Sequence, residues 1–109
     1  MRLDGLQQRT ADLSERAWPD WSADPAIAAR LLALMLEEAG ELAQVVRKRA
    51  GPRLGHPGEA AATLAEIEDE LGDCLFLLAR IANATGASLE AAAKRVTAKI
   101  ERRIAGAAY

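Results

Sequence analysis

Ile27, Leu31, Leu34, Glu38, Glu41 and Val45 follow one another in steps of four, three, four, three and four. Residues at those spacings share one face of an α-helix, so two carboxylates stand inside an apolar stripe, with Glu37 at its edge. Ile67, Glu70, Cys74, Leu77 and Ile81 repeat the pattern further on, with Asp73 on the edge beside Glu70. Apolar stripes are the faces that helices bury against one another, and a buried carboxylate is costly unless it is paired, hydrogen-bonded or bound to a metal. The chain must therefore build at least two helices that pack together, and the packed faces must accommodate acids.

No segment alternates with the two-residue period of a strand, and there are no internal repeats. Leu3, Leu6, Thr10, Leu13 and Ala17 predict a first helix over 2–17, broken at Trp18-Pro19 because proline disfavours the helical conformation of the residue before it. Asp24-Pro25 predicts the start of a second helix, an acceptor followed by proline at the first helical position, which runs to about Ala50 and stops at Gly51-Pro52. Residues 51–58 are rich in glycine and proline and read as a loop. A third helix is expected from Glu59 or from Thr63, where Thr63 and Glu66 have capping-box spacing, to about Thr85, with Gly86 closing it. Ser88 then caps a fourth helix that ends near Ile104. The expected fold is all-α and four-helix bundle-like, built on a central antiparallel hairpin of the second and third helices.

A chain of 109 residues suits one domain, taken here as 1–109. Much of its apolar half is alanine and only four residues are aromatic, so each helix gains little area from packing, and either long, closely packed helices or a partner subunit is expected. A net charge of -2 with both signs dispersed gives no electrostatic support for nucleic-acid binding. One cysteine, Cys74, cannot form an intrachain disulfide and fits a reducing cytosol, with the thiol read as a small core residue. Neither a signal-peptide pattern nor an uncharged run of membrane-spanning length is present, so a soluble cytoplasmic protein is expected.

If the two helices pair, Glu38 and Glu41 face Glu70 and Asp73. Four converging carboxylates with no buried arginine would repel one another by several kcal/mol in a low-dielectric site. A hard divalent cation with oxygen ligands, magnesium or manganese, resolves that repulsion, whereas zinc would look for imidazole and thiolate ligands that His56 and Cys74 do not offer at suitable spacing. The plain alternative is a solvated acidic face. Two further groups have both a structural and a functional reading. Lys99 and Arg103 share a face near the end of the last helix, where they complement the helix dipole or reach phosphates. Trp18 and Trp21 lie in a connection, where they cover the end of the core or offer a stacking surface to a planar ligand. His56 is read as solvent-exposed and without a role.

Glu37-Glu38-x-x-Glu41 followed by Glu70-x-x-Asp73 resembles the EExxE…ExxD signature of MazG-like all-α nucleoside triphosphate pyrophosphohydrolases. The words around it agree: Glu-Glu-Ala-Gly-Glu-Leu-Ala at 37–43, Asp-Glu-Leu-Gly-Asp-Cys-Leu-Phe at 69–76, and Gly-Ala-Ser-Leu-Glu-Ala-Ala at 86–92. Glu15-Arg16-Ala17-Trp18 is similar to the entry of the dCTP-hydrolysing branch, although the distance from there to the glutamates is longer here. The resemblance covers roughly residues 16–103. It implies that Glu38, Glu41, Glu70 and Asp73 hold Mg2+, that Glu37 binds a second metal or orients water, and that Lys99 and Arg103 contact the triphosphate. It also implies a homodimer or homotetramer and hydrolysis of (d)NTPs between the α and β phosphates to a monophosphate and pyrophosphate. A dUTP- or dCTP-specific enzyme, a phosphoribosyl-ATP pyrophosphohydrolase and a non-catalytic metal-binding helical module stand as alternatives.

Overall fold

The computed structural model describes residues 2–106, apart from the side chains of Ser22 and Ala23. The ends of the 1–109 domain reading, residue 1 and residues 107–109, lie outside the described residues. Four α-helices follow in order: α1 (Leu3–Ala17), α2 (Ile27–Ala50), α3 (Leu64–Thr85) and α4 (Leu89–Ala105). A short 3-10 turn, Pro19–Ala23, links the first two. The described residues contain no strand.

Local chemistry sets each boundary. Helix α2 begins at Ile27, two residues later than the Asp24-Pro25 signal predicts, because Asp24 is used differently. Its Oδ1 accepts from the Ala26 backbone N–H at 2.8 Å and its Oδ2 pairs with Arg30 Nε at 2.7 Å, so it pins the entry instead of capping the first turn. Helix α3 begins at the later of its two candidate sites. Thr63 Oγ1 accepts from the Glu66 backbone N–H at 3.1 Å, and the Glu66 carboxylate accepts from the Thr63 N–H at 3.4 Å, completing the capping box. Gly86, at φ 77°, takes the left-handed conformation that ends α3 without a Cβ penalty. Ser88 Oγ caps α4 by accepting from the Ala91 N–H.

Helices α2 and α3 form the antiparallel hairpin, with Leu31 near Arg80 at one end and Glu41 near Glu70 further along. The connection between them, residues 51–63, is longer than the predicted loop and is tied down by two arginines of α2. Arg47 reaches both carboxylate oxygens of Glu59, at 2.9 and 3.3 Å, and Arg49 donates to the Ala62 carbonyl. Glu59 also accepts from the Arg53 backbone N–H. The Arg47 hydrogen bond, with that of Arg53, holds the Glu59 carboxyl down at about 2.

Helix α1 lies mainly against α3, with Thr10 fully buried. Gln7 fastens it to the α3–α4 turn: its Nε2 donates to the Ala87 carbonyl and its Oε1 accepts from the Leu89 N–H at 2.6 Å. Helix α4 touches α1 and α3 only lightly, and none of its residues is fully buried.

The core is small: Leu31, Ala62, Cys74, Leu77, Ala79 and Ala82 are the buried apolar residues. The single chain is open. Its radius of gyration is 17.3 Å, against about 13 Å for a compact domain of this length. It exposes 7912 Å², against roughly 5,800 Å² for a folded monomer of its mass. Large apolar side chains are exposed in stripes: Leu32 and Leu36 on α2, Leu71, Leu75 and Leu78 on α3, and Val96, Ile100 and Ile104 on α4. Despite its long apolar run, only Leu31 of α2 is fully buried in the single chain. One hairpin, one flanking helix and a loosely attached α4 cannot cover both faces of α2.

Candidate functional site

The stripe that carries Leu31 into the core also carries Glu38 and Glu41 to the hairpin interface, where α3 presents Glu70. One carboxylate oxygen from each of these three residues lies within 4.8 Å of the others. Glu38 and Glu70 are half-buried and Glu41 is exposed, so the cluster opens to solvent on one side. Glu38 Oε2 and Glu70 Oε2 are buried and no N–H or hydroxyl donor reaches them, so only a proton shared with a neighbouring carboxylate could satisfy them. Buried acceptors of that kind are rare, and here they are acceptor-only groups gathered around one point.

Electrostatics point the same way. The Glu38 carboxyl is pushed above its ordinary value, first by burial and then by the charges of Glu41 and Asp73. Glu70 is also raised, by burial and then by Glu41 and Asp73. The adjacent Cys74 thiol is raised by its burial and by Glu38 and Glu70. No cation is among the causes acting on either glutamate. A cluster of unpaired oxygens that repel one another suits a hard divalent cation, with water completing the shell.

Asp73 stands beside the three-oxygen group without joining it, close enough for its charge to act on Glu38 and Glu70. Glu37 projects from a neighbouring face of α2 into a shallow groove that it shares with Trp21, Arg30 and Leu34. Lys99 lies on α4 in a surface depression with Lys94, Arg95 and Arg102, and neither it nor Arg103 is among the groups acting on Glu38 or Glu70. The single chain thus brings three of the four predicted ligands together and leaves the predicted phosphate contacts on a separate helix. His56 is exposed in its loop and Cys74 is buried.

The tryptophans belong to a second constellation at the other end of the hairpin. The rings of Trp18 and Trp21 are 6.4 Å apart, and Phe76 meets Trp18 edge-on at the same distance. The Arg80 guanidinium lies 4.6 Å from the Trp18 ring centre and 5.1 Å from that of Trp21. Trp18, Trp21 and Arg80 line a cavity of about 310 Å³ together with Ser14, Ile27 and Leu31. Sequence reasoning selected the tryptophans and passed over Arg80, although its position three residues beyond Leu77 places it on the buried face of α3.

The sequence profile of the MazG nucleotide pyrophosphohydrolase domain matches residues 28–105. The chain belongs to the MazG family. It is also 40% identical over 73 residues to the uncharacterized protein YpjD of Bacillus subtilis (strain 168), a stretch covering 67% of this chain and 63% of the relative. The chain therefore spans somewhat less than two thirds of the relative it matches. No solved structure matches it. The MazG profile covers α2 from its second residue and all of α3 and α4. No helix among the described residues is long and apolar enough to cross a membrane.

Proposed function

We propose that this MazG-family chain is a Mg2+-dependent nucleoside triphosphate pyrophosphohydrolase that cleaves (d)NTPs to monophosphate and pyrophosphate, as a nucleotide-pool housecleaning enzyme. The observation that carries the metal assignment is the pair of orphaned, buried oxygens of Glu38 and Glu70 beside Glu41. Glu38, Glu41 and Glu70 would hold Mg2+, or Mn2+ in its place, and Asp73 would complete the ligand set or bind it through water. A divalent cation at this point would polarise phosphoryl oxygens, offset their developing charge and lower the pKa of bound water.

The protein's own groups supply the rest. Glu37 is exposed one position from the cluster and is assigned to orienting the attacking water or to a second ion. Trp18 and Trp21 are assigned to the base. The seven residue steps along α2 from Leu31 to Glu38 rise about 10 Å, a gap that a sugar and the first phosphate can bridge. Lys99 and Arg103 are assigned to the triphosphate in an assembled homodimer or homotetramer. Assembly is supported by the exposed leucine and isoleucine stripes and by the open shape of the chain.

The decisive measurement is pyrophosphate release from a panel of dNTPs with and without Mg2+. Magnesium-dependent release is expected. No turnover of any nucleotide at any metal concentration would leave a non-catalytic helical module as the remaining reading.

A further inference from the structure

Arg80 is 8% exposed, its guanidinium rests against two indole rings, and no carboxylate pairs with it among the described residues. Glu15, the one acid lining the same cavity, is solvent-exposed and forms no ion pair with it. Contact with aromatic faces compensates only part of what a buried cation loses on leaving water. Ser14 Oγ, also in the cavity wall, is buried without a hydrogen-bond partner. A pocket with aromatic and aliphatic walls thus holds two unused donors, one of them a rigid planar fork.

A guanidinium fork presents two parallel N–H donors and is matched by two neighbouring acceptors in one plane. Among nucleobases, guanine offers N7 and O6, and cytosine offers N3 and O2. Adenine sets an amino donor beside N7, and uracil and thymine set an N–H between their carbonyls, so each leaves one arm of the fork facing a donor.

We infer that the Trp18–Trp21–Arg80 pocket selects nucleotides whose base carries two adjacent in-plane acceptors, guanine or cytosine, with Arg80 as the specificity-determining residue. This rests on the pyrophosphohydrolase reading for the identity of the ligand as a nucleotide, and it names the substrate class of that site. The two indole rings flank the guanidinium at 4.6 and 5.1 Å and limit its movement, and its nitrogens address the base edge.

Trp18 and Trp21 are the only tryptophans in the chain, so intrinsic tryptophan fluorescence reports on this pocket alone. Titration of the metal-free protein with dGMP, dCMP, dAMP and dTMP, excited at the red edge of tryptophan absorption, reads base affinity without turnover. Either dGMP or dCMP, or both, is expected to bind about tenfold more tightly than dAMP and dTMP, the discrimination of a modest bidentate contact. Their relative affinities tell guanine from cytosine. Arg80→Gln should level the four affinities, and Arg80→Lys, which keeps the charge and loses the fork, should level them as well.

Equal affinities in the natural protein, absence of any quenching, or a preference that survives in Arg80→Lys would each overturn the assignment. If Arg80→Gln does not fold by circular dichroism, the Lys variant and the natural protein still decide. Pyrophosphate release without base preference would sink this inference and keep the enzyme reading. Selective quenching without pyrophosphate release from any dNTP would do the reverse.

Discussion

The two ends of the α2–α3 hairpin are built from the same pair of helices and carry opposite charge problems. At one end Glu38, Glu41 and Glu70 crowd together, with no cation among the charges acting on Glu38 or Glu70. At the other, Arg80 is buried against two indoles with no carboxylate paired to it among the described residues. Arg80 is seven residues from Asp73 on α3, about two helical turns, so the opposite charges share a face without neutralising each other. A protein selected only for stability would bring such groups together or replace them with apolar ones, because buried ionic groups are seldom the most stabilising choice. Held apart, each end stays open to a ligand of complementary charge, and a metal–nucleotide complex offers both kinds of partner at once.

The sharpest way to break this contrast is Glu38→Gln or Asp73→Asn. Each is expected to lower pyrophosphate release by about a hundredfold or more, while the helical circular dichroism persists. The metal-free melting temperature should hold or rise as repulsion is relieved. Loss of the fold in both variants would instead make the acid end structural.

At the aromatic end the sign reverses. Trp18 is 42% exposed yet contacts Trp21, Phe76 and Arg80. Trp18→Ala should therefore cost stability, by about 2 kcal/mol in chemical denaturation, from lost ring pairing and cation–π contact. It should also raise the Michaelis constant. An unchanged constant for every nucleotide in both Trp18→Ala and Trp21→Ala would return the rings to a purely structural role.

The subtlest difference is in pH dependence. Because burial and neighbouring carboxylates raise Glu38 and Glu70, the folded metal-free protein holds protons that the unfolded chain releases. Their contribution to stability is favourable below the ordinary value of 4.5 and is lost as pH rises through the raised values. Melting temperature of the chelated protein should thus fall with increasing pH in that interval, with Mg2+ flattening or inverting the slope. A profile unaffected by Mg2+ would mean that no ion binds at this cluster.

Much of this contrast is legible in the sequence. The acids stand out because they interrupt a three-and-four series of apolar residues, and the same series sets the faces of α2 and α3. Thr63 and Glu66 locate the start of α3 because capping is local chemistry. Arg80 escapes because a lone arginine in an apolar run has no neighbour in sequence to explain it; its meaning comes from Trp18 and Trp21, some sixty residues earlier. The start of α2 is misplaced because Asp24 has two competing uses, a cap or an Arg30 partner, that spacing does not rank. The loose attachment of α4 is invisible for a different reason: its stripe, Val96, Ile100 and Ile104, reads the same whether its cover is this chain or another.

Arg47 grips Glu59 with two hydrogen bonds just beyond the acid cluster, and Arg49 holds the carbonyl of Ala62, next to the Thr63 cap. Together they act as a length gauge on a thirteen-residue connection that could otherwise let α3 slide along α2. A slip of one turn would move Glu70 by about 5 Å, enough to disperse the three oxygens while leaving every helix intact. The spacing of the three carboxylates is thus calibrated from outside the cluster, by the fastening of a loop.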